Sequence, residues 1–310
     1  MQAITLVSTK DMDHGEWLKW RQKGIGGSDA AAIAGLNPWK SPISVYLDKI
    51  GQGEEVEDNE RMRVGRDLED YVATRFEEAT GLKVRKRNAI LAHSENEFMF
   101  ANVDRLVVGE KEGLECKTTN SYSRKDWEDD NIPAHYEIQC HHYMAVTGYK
   151  AWWIACLIGN EKFVYKKIER DEEIINYLIK IEKDFWENHI VPKIIPAPDG
   201  SEDAGNLIKM MYPNSTPDSF IDLEDDYINH IDRRAEIAEM IKKLELEKSQ
   251  IEQVIQVGMG DFETAIIRDK KVTWKTINSN RFDSKEFKKD YPDLYDQYVN
   301  TSSYRRFQIK

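Results

Sequence analysis

Apolar residues recur along the chain with two periods, and the period changes from helical to strand-like near residue 81. From Glu60 to Thr80 they return at steps of three and four, which predicts an amphipathic helix. Gly81 follows, and glycine is the usual residue just past a helix end. The next stretch alternates apolar and polar residues, which predicts strands over Lys83–Ile90, Phe98–Val107 and Gly113–Lys117.

Helical and strand patterns alternate again further along the chain. A second long helix is predicted over Ala134–Thr147, and the uninterrupted apolar run Ala151–Gly159 is typical of a strand buried on both faces. Phe163–Ile168 is its expected hairpin partner, and Asp171–His189 is again helical. This order of helices and strands predicts an α/β fold with a mixed central sheet flanked by helices.

Three short helices are predicted before the long one. They cover Glu16–Lys23, Ala30–Gly35 and Ile43–Ile50, with Ser28 and Asp29 as N-cap candidates for the second and Pro42 opening the third. A polar, acidic connection over Gln52–Asn59 then leads to the long helix.

The character of the sequence changes after the proline-rich stretch Val191–Pro198, which predicts a domain boundary. We therefore expect a first domain over 1–200 and a C-terminal extension over 201–310. The extension contains a charged helix, Ile221–Val257, whose apolar positions follow a coiled-coil-like spacing. This seam either docks on the core of its own chain or pairs between subunits. Two short strands after the helix predict a small β-hairpin.

Composition narrows the class of protein. The chain is 40% hydrophobic with eight tryptophans, which is typical of a globular protein. No stretch approaches the roughly 18 uncharged apolar residues of a membrane span, and the N-terminus lacks a secretory signal, so we expect a cytoplasmic protein. The three cysteines show no CxxC pairing, which favours reduced thiols. The net charge of −12 means that nucleic acid would need a local basic channel.

Three charged residues fall on neighbouring predicted strands. Asp104 ends the second strand, and the third carries Glu115 and Lys117. Because alternate side chains of a strand share a face, Glu115 and Lys117 point the same way, and a meander brings Asp104 beside them. A hard divalent cation such as Mg²⁺ or Mn²⁺ would compensate the two carboxylates. On this triple alone, a solvated strand surface is the more common explanation.

The order of the surrounding residues favours the chemical explanation. Glu69 lies on the helix before the strands, and Gln139 and Tyr143 lie four residues apart on the helix after them. This series resembles the PD-(D/E)XK nuclease superfamily, in which a helix Glu, a strand Asp, a Glu-x-Lys motif and a Gln-x-x-x-Tyr helix follow in that order. The segment Trp20–Ala31 resembles the YqaJ-type viral recombinase family, the phage λ-exonuclease-like branch. The resemblance spans about residues 12–195.

The resemblance implies a restriction-endonuclease-like core with two Mg²⁺ or Mn²⁺ ions in each active site. Asp104, Glu115 and the backbone carbonyl of Cys116 would bind metal, and Glu69 would bind or position the second ion. Lys117 would act on the attacking water.

The resemblance also assigns roles around this centre. Gln139 would orient around Lys117 or the scissile phosphate, with Tyr143 in support. Arg21 and Ser28 would hold the 5′-phosphate of the DNA.

The implied function is a 5′→3′ exonuclease that acts on double-stranded DNA ends in phage or prophage recombination. It would leave 3′ single-stranded overhangs for an annealing protein, in the cytoplasm of a bacterial host, and would form a homotrimeric ring. A RecB-like structure-specific endonuclease and an inactive DNA-binding assembly module are the alternatives. The basic run Lys83, Arg85, Lys86 and Arg87 is either a charged strand edge or a contact to the DNA backbone.

Overall fold

The computed structural model describes residues 3–53 and 58–309, so residues 54–57 of the predicted acidic connection lie outside the described residues. The chain divides into two compact units, Met1–Met211 and Tyr212–Lys310. The elements of the first unit are, in chain order, β1 (Ile4–Ser8), α1 (His14–Arg21), α2 (Gly27–Ile33), α3 (Pro42–Lys49), α4 (Glu60–Thr80), β2 (Val84–Lys86), β3 (Ala89–Ala92), β4 (Phe100–Ala101), β5 (Arg105–Val107), β6 (Glu112–Thr119), a 3₁₀ turn (Ser121–Trp127), α5 (Ala134–Thr147), β7 (Ala151–Ile158), β8 (Lys162–Glu169), α6 (Glu172–Phe185), a π-helical turn (Trp186–Ile190) and α7 (Glu202–Met211).

The main sheet has five strands in the order β2-β5-β6-β7-β8. β6 and β7 run parallel, and the other neighbouring strands are antiparallel. Parallel strands need a crossover connection, and the 3₁₀ turn and α5 provide it here. The predicted α/β fold with a mixed sheet is confirmed.

Helices cover both faces of this sheet. On one face Val72 and Phe76 of α4 pack against Leu114 of β6. On the other face Met144 of α5 packs with Ile154 of β7. Because Leu114 and Cys116 face α4, the residues between and beside them, Glu115 and Lys117, project towards α5, as the alternation of the strand predicts.

Two of the predicted strands are each split between the main sheet and a second sheet. The second sheet contains β1, β3 and β4, all antiparallel. The predicted strand Lys83–Ile90 is therefore wrong as a single element, because β2 lies in the main sheet and β3 in the second. Phe98–Val107 divides in the same way between β4 and β5. Alternation with a period of two does not reveal where a chain leaves one sheet for another.

The start of α2 also differs from the prediction. The helix begins at Gly27 with Gly26 as N-cap, so Ser28 lies inside its first turn. The carboxylate of Asp29 accepts a hydrogen bond from the Gly26 amide at 3.1 Å. Asp29 thus satisfies a backbone donor of the helix start from within the helix rather than from the cap position.

The helix α7 belongs to the first unit, although the predicted boundary lies at residue 200. The Asp203 carboxylate accepts a hydrogen bond from the Ser41 amide at 2.8 Å, and Ala204 is buried. A short amphipathic helix after a proline-rich stretch carries no signal of which unit it joins.

The second unit contains α8 (Tyr227–Met259), β9 (Thr264–Ile267), β10 (Lys270–Thr273), α9 (Ser284–Asp290) and α10 (Pro292–Tyr298). The predicted hairpin is present, since β9 and β10 pair antiparallel. The apolar seam of α8 is exposed, from 41% for Ile237 to 64% for Leu244. No helix within the described residues is long and apolar enough to cross a membrane. All three cysteines are free thiols.

Candidate active site

Asp104, Glu115 and Lys117 lie together at the point where β5 meets β6. Asp104 directly precedes β5, and its Oδ2 accepts a hydrogen bond from the Cys116 amide at 2.8 Å. Glu115 is buried in β6, and the Lys117 Nζ lies 2.6 Å from its Oε1. The predicted triple is therefore brought together by the pairing of two adjacent strands.

The two carboxylates are held in conditions that favour a cation. Burial raises the pKa of Asp104 well above its usual value, and the charges of Glu115 and Glu69 raise it further. Burial would lower the pKa of Lys117, but the neighbouring Glu115 and Asp104 carboxylates outweigh it and raise that pKa. One cation serves two carboxylates, so the site has a deficit of positive charge.

One carboxylate oxygen in this cluster is free. The Oε2 atom of Glu115 is buried and has no hydrogen-bond partner among the described residues. Leaving a buried acceptor unsatisfied is costly, and a divalent cation with a preference for oxygen ligands would satisfy it. The residues present therefore fit a Mg²⁺ or Mn²⁺ ion.

Glu69 lies close to this centre but is paired elsewhere. Its carboxylate forms an ion pair with the guanidinium of Arg105, which also contacts the Asp70 carboxylate at 2.5 Å. Arg105 is buried, and sequence reasoning missed it although it directly follows Asp104. Among residues 3–53 and 58–309, no three His, Cys, Asp or Glu side chains are gathered as a metal site. The role of Glu69 at a second ion stays a prediction.

Gln139 connects α5 to the carboxylate cluster. Its Nε2 donates to Glu115 Oε1 at 2.6 Å and contacts the Tyr143 hydroxyl at 2.8 Å. Both residues are buried and occupy successive turns of one helix face, as their spacing predicts. Gln139 thus holds one oxygen of Glu115, which leaves Oε2 as the oxygen available to a ligand.

Arg21 and Ser28 lie in the same cleft as the carboxylates. The Arg21 guanidinium donates to Ser28 Oγ at 3.1 Å, and a cleft of about 190 Å³ is lined by both residues together with Asp104 and Glu115. Gly27 allows α2 to approach α5 closely, because a Cβ at this position would lie only 2.7 Å from the Tyr143 ring. The predicted anion-binding pair is therefore continuous with the predicted hydrolytic centre.

Comparison with known proteins shows which family the chain belongs to. The model of the YqaJ-like viral recombinase domain matches residues 16–150. The protein YqaJ of Bacillus subtilis is 42% identical over 312 residues, which cover 100% of this chain and 98% of that protein. The chain belongs to the YqaJ-like viral recombinase family. The predicted family is confirmed.

Solved structures share the fold of this YqaJ-like chain. The alkaline exonuclease LHK-Exo from Laribacter hongkongensis superposes with a TM-score of 0.50 at 18% identity, over 64% of this chain and 98% of that chain. A phage related exonuclease from Haemophilus somnus gives a TM-score of 0.42 at 15% identity, over 63% of this chain and 99% of that chain. The first likeness confirms the predicted restriction-endonuclease-like core.

A buried ion cluster supports the Arg21 end of the YqaJ-like cleft. The side chains of Asp29 and Lys49 are fully buried and 2.7 Å apart, and Lys40 lies 2.9 Å from the same carboxylate. Burial would raise the pKa of Asp29, but Lys40 and Lys49 hold it well below its usual value. Lys49 Nζ also donates to the backbone carbonyl of Arg21 at 2.8 Å. The cluster therefore fixes the chain on both sides of the predicted anion-binding pair.

Sequence reasoning assigned Asp29 only to a helix cap and did not connect it with Lys49. The one available signal is the spacing of lysines around the predicted α2–α3 connection, which does not predict contact.

The structure distinguishes between the two explanations for the basic run that precedes the strands of the candidate site. Lys83 pairs with Glu77 at 2.9 Å and Lys86 with Asp70 at 2.8 Å, on the edge strand β2. These pairs favour the charged strand edge.

Proposed function

We propose that this YqaJ-like protein is a metal-dependent exonuclease that degrades double-stranded DNA from its ends. The observation that carries the proposal is the buried, unpartnered Oε2 of Glu115 beside Asp104 and Lys117. Such an oxygen needs a cation, and a cation held next to a lysine is suited to phosphodiester hydrolysis. The name of the structural neighbour LHK-Exo, an alkaline exonuclease, supports the same class of reaction.

The residues of the cluster divide into ligands and supports. Asp104, Glu115 and the Cys116 carbonyl would hold Mg²⁺ or Mn²⁺, and Glu69 would serve a second ion once released from Arg105. When bound, such an ion polarises the phosphate and lowers the pKa of water. Lys117 would position the attacking water through its ammonium.

Gln139 keeps Glu115 in a single orientation by holding Oε1. A ligand oxygen fixed in this way loses little conformational freedom when an ion binds. Tyr143 in turn accepts a hydrogen bond from the Gln139 amide, so it would support the metal site indirectly, through Gln139.

The Arg21–Ser28 pair determines the proposed polarity of degradation along the DNA strand. A guanidinium and a hydroxyl at one end of the cleft would bind a terminal 5′-phosphate by charge-assisted hydrogen bonds. The scissile bond would then lie at the carboxylate cluster, which implies 5′→3′ polarity and a 3′ single-stranded overhang. This product suits an annealing protein in phage or prophage recombination, as the description of the family suggests.

A homotrimeric ring would reconcile DNA binding with the acidic chain. A single chain with a net charge of −12 repels duplex DNA over most of its surface. Several copies that turn local basic groups inward would create a positive channel and retain the duplex between cleavage steps.

One experiment tests the proposed function directly. Linear duplex DNA labelled at either end, with or without a 5′-phosphate, is incubated with the full chain and Mg²⁺ or Mn²⁺. Progressive loss of the 5′-labelled strand, faster with the phosphate and absent on a closed circular duplex, is expected. Cleavage of the circle would show an endonuclease instead, and no cleavage with either metal would refute nuclease activity.

A further inference from the structure

Trp39 is a large apolar side chain left in solvent near the candidate active site. It is the most exposed of the eight tryptophans, at 68% of its surface, and lies on the turn between α2 and α3. Burying an aromatic ring of this size is normally favourable, so an exposed one in the first unit calls for a ligand that would cover it.

The backbone that carries the ring is held in place by hydrogen bonds. The side-chain oxygen of Asn37 accepts hydrogen bonds from the amides of Trp39 and Lys40, at 2.9 and 3.1 Å. Lys40 is further anchored through its ion pair with Asp29. An Asx turn of this kind fixes the backbone locally, so little entropy would be lost when the ring meets a ligand.

One edge contact sets the orientation of the ring. Trp39 packs against His135 in a T-shaped arrangement, with ring centroids 5.0 Å apart and an interplanar angle of 85°. Burial and the charge of Lys117 lower the pKa of His135, so the imidazole is neutral at neutral pH and the contact is between two uncharged rings.

Trp39 lies outside the lining of the cleft, and short series of contacts connect it to both parts of the cleft. On one side His135 contacts Tyr136, with centroids 4.0 Å apart, and the Tyr136 ring receives Lys117 Nζ at 4.8 Å. On the other side Lys40 leads to Asp29, the residue next to Ser28. Trp39 is therefore connected to the proposed hydrolytic centre through His135 and Tyr136, and to the proposed 5′-phosphate anchor through its chain neighbour Lys40 and Asp29.

We propose that Trp39 stacks on an unpaired base of the DNA end whose strand occupies this cleft. The inference rests on the proposed function, because it takes DNA as the substrate. Once the terminal base pairs open, the bases of a DNA end are flat aromatic groups that can stack on Trp39. Every base has a π-face, so the contact tolerates any sequence, as degradation of DNA requires.

The expected effect is on binding of ends that already contain unpaired bases. Stacking of one base on an aromatic side chain contributes roughly 1–3 kcal/mol, which corresponds to a change of about 5- to 150-fold in affinity. A fully paired blunt end must first open, so its affinity should depend less on Trp39.

The test measures binding in EDTA, where hydrolysis does not interfere. The probe is a duplex with several mismatched terminal pairs and 2-aminopurine near its 5′ end, and the full chain is titrated against it. Wild-type protein should quench the 2-aminopurine. Trp39→Ala should weaken binding at least about fivefold and abolish the quenching, whereas Trp39→Phe, which retains an aromatic face, should preserve most of both.

Tyr177→Ala is the matched control. Tyr177 is an aromatic residue with 57% exposure on α6, and its removal should change neither affinity nor quenching. Equal affinity of Trp39→Ala and wild type would overturn the stacking role while leaving the proposed function intact. Equal losses in Trp39→Ala and Tyr177→Ala would overturn it as well. If wild-type protein neither binds this probe nor degrades DNA with Mg²⁺ or Mn²⁺, the proposed function fails, and the stacking role fails with it.

Discussion

Replacing Asp29 by asparagine should destabilise the first unit far more than a surface charge would. Asp29→Asn keeps the shape of the side chain and an oxygen for the Gly26 amide, but it removes the negative charge 2.7 Å from the buried Lys49 ammonium. The nearest remaining carboxylate is Asp48, at 3.6 Å and partly in solvent. Breaking a buried ion pair by removing one partner costs about 3–5 kcal/mol.

The measurements are urea unfolding, which gives the free energy of unfolding, and thermal unfolding, which gives the melting temperature, both followed by tryptophan fluorescence. Seven of the eight tryptophans lie in the first unit, so the signal reports that unit. At roughly 2–4 °C per kcal/mol for a unit of this size, the melting temperature should fall by on the order of 10 °C. Asp48→Asn is the control, because it faces the same two lysines from a partly exposed position and should cost about 0–1 kcal/mol.

The pH dependence gives an independent check. The folded-state pKa of Asp29 is depressed, so its stabilisation is complete above the unfolded-state pKa of about 3.9 and is lost as the pH falls through the folded value. The difference in unfolding free energy between wild type and Asp29→Asn should therefore shrink below about pH 4. Adding Lys49→Met to Asp29→Asn should recover part of the loss. If Asp29→Asn costs no more than Asp48→Asn at neutral pH, the cluster does not support the fold as argued.

Three further predictions concern activity. Lys117→Ala should abolish hydrolysis while DNA binding in EDTA stays near wild type, because the ligands Asp104 and Glu115 remain; wild-type cleavage rates would contradict its role. Mg²⁺ or Mn²⁺ should support cleavage and Ca²⁺ should not, since Ca²⁺ takes longer, looser coordination; hydrolysis in excess EDTA would rule out metal dependence. Arg21→Ala should remove a preference of about 10- to 100-fold for 5′-phosphorylated ends, as measured by initial rates, and an unchanged preference would place the anchor elsewhere.

The regular elements with long, strongly periodic patterns are the ones that the sequence predicts well. The limits predicted for α4 and α5 coincide with the observed ones, because glycines with positive φ, Gly81 and Gly148, end both helices. The uninterrupted apolar run of β7 likewise marks a central strand. The short strands β2 to β5 are harder, because a change of sheet leaves the alternation of residues unaltered.

The residues of the candidate site could be predicted because their chemistry lies in local spacing. Glu115 and Lys117 share a strand face by alternation, and Gln139 and Tyr143 share a helix face by a step of four. The predicted meander placed Asp104 beside Glu115 and Lys117, and the order of the elements together with the resemblance to a known family made Glu69 a candidate. Neither source predicts that Arg105 occupies the Glu69 carboxylate, since that contact joins residues 36 positions apart.

The supports of the site depend on contacts that no local pattern contains. Lys49 reaches Asp29 and the Arg21 carbonyl only because α3 packs beside α2, and Trp39 meets His135 only because the α2–α3 turn lies against α5. Both contacts join residues that seem ordinary in the sequence: a lysine at a helix end and a tryptophan after a proline. The proposed hydrolytic centre thus depends on spacing within single elements and on the pairing of adjacent strands, whereas the proposed placement of the DNA end depends on how three short segments pack. Substitutions at this packing should therefore alter the choice of DNA ends before they alter the chemistry of cleavage.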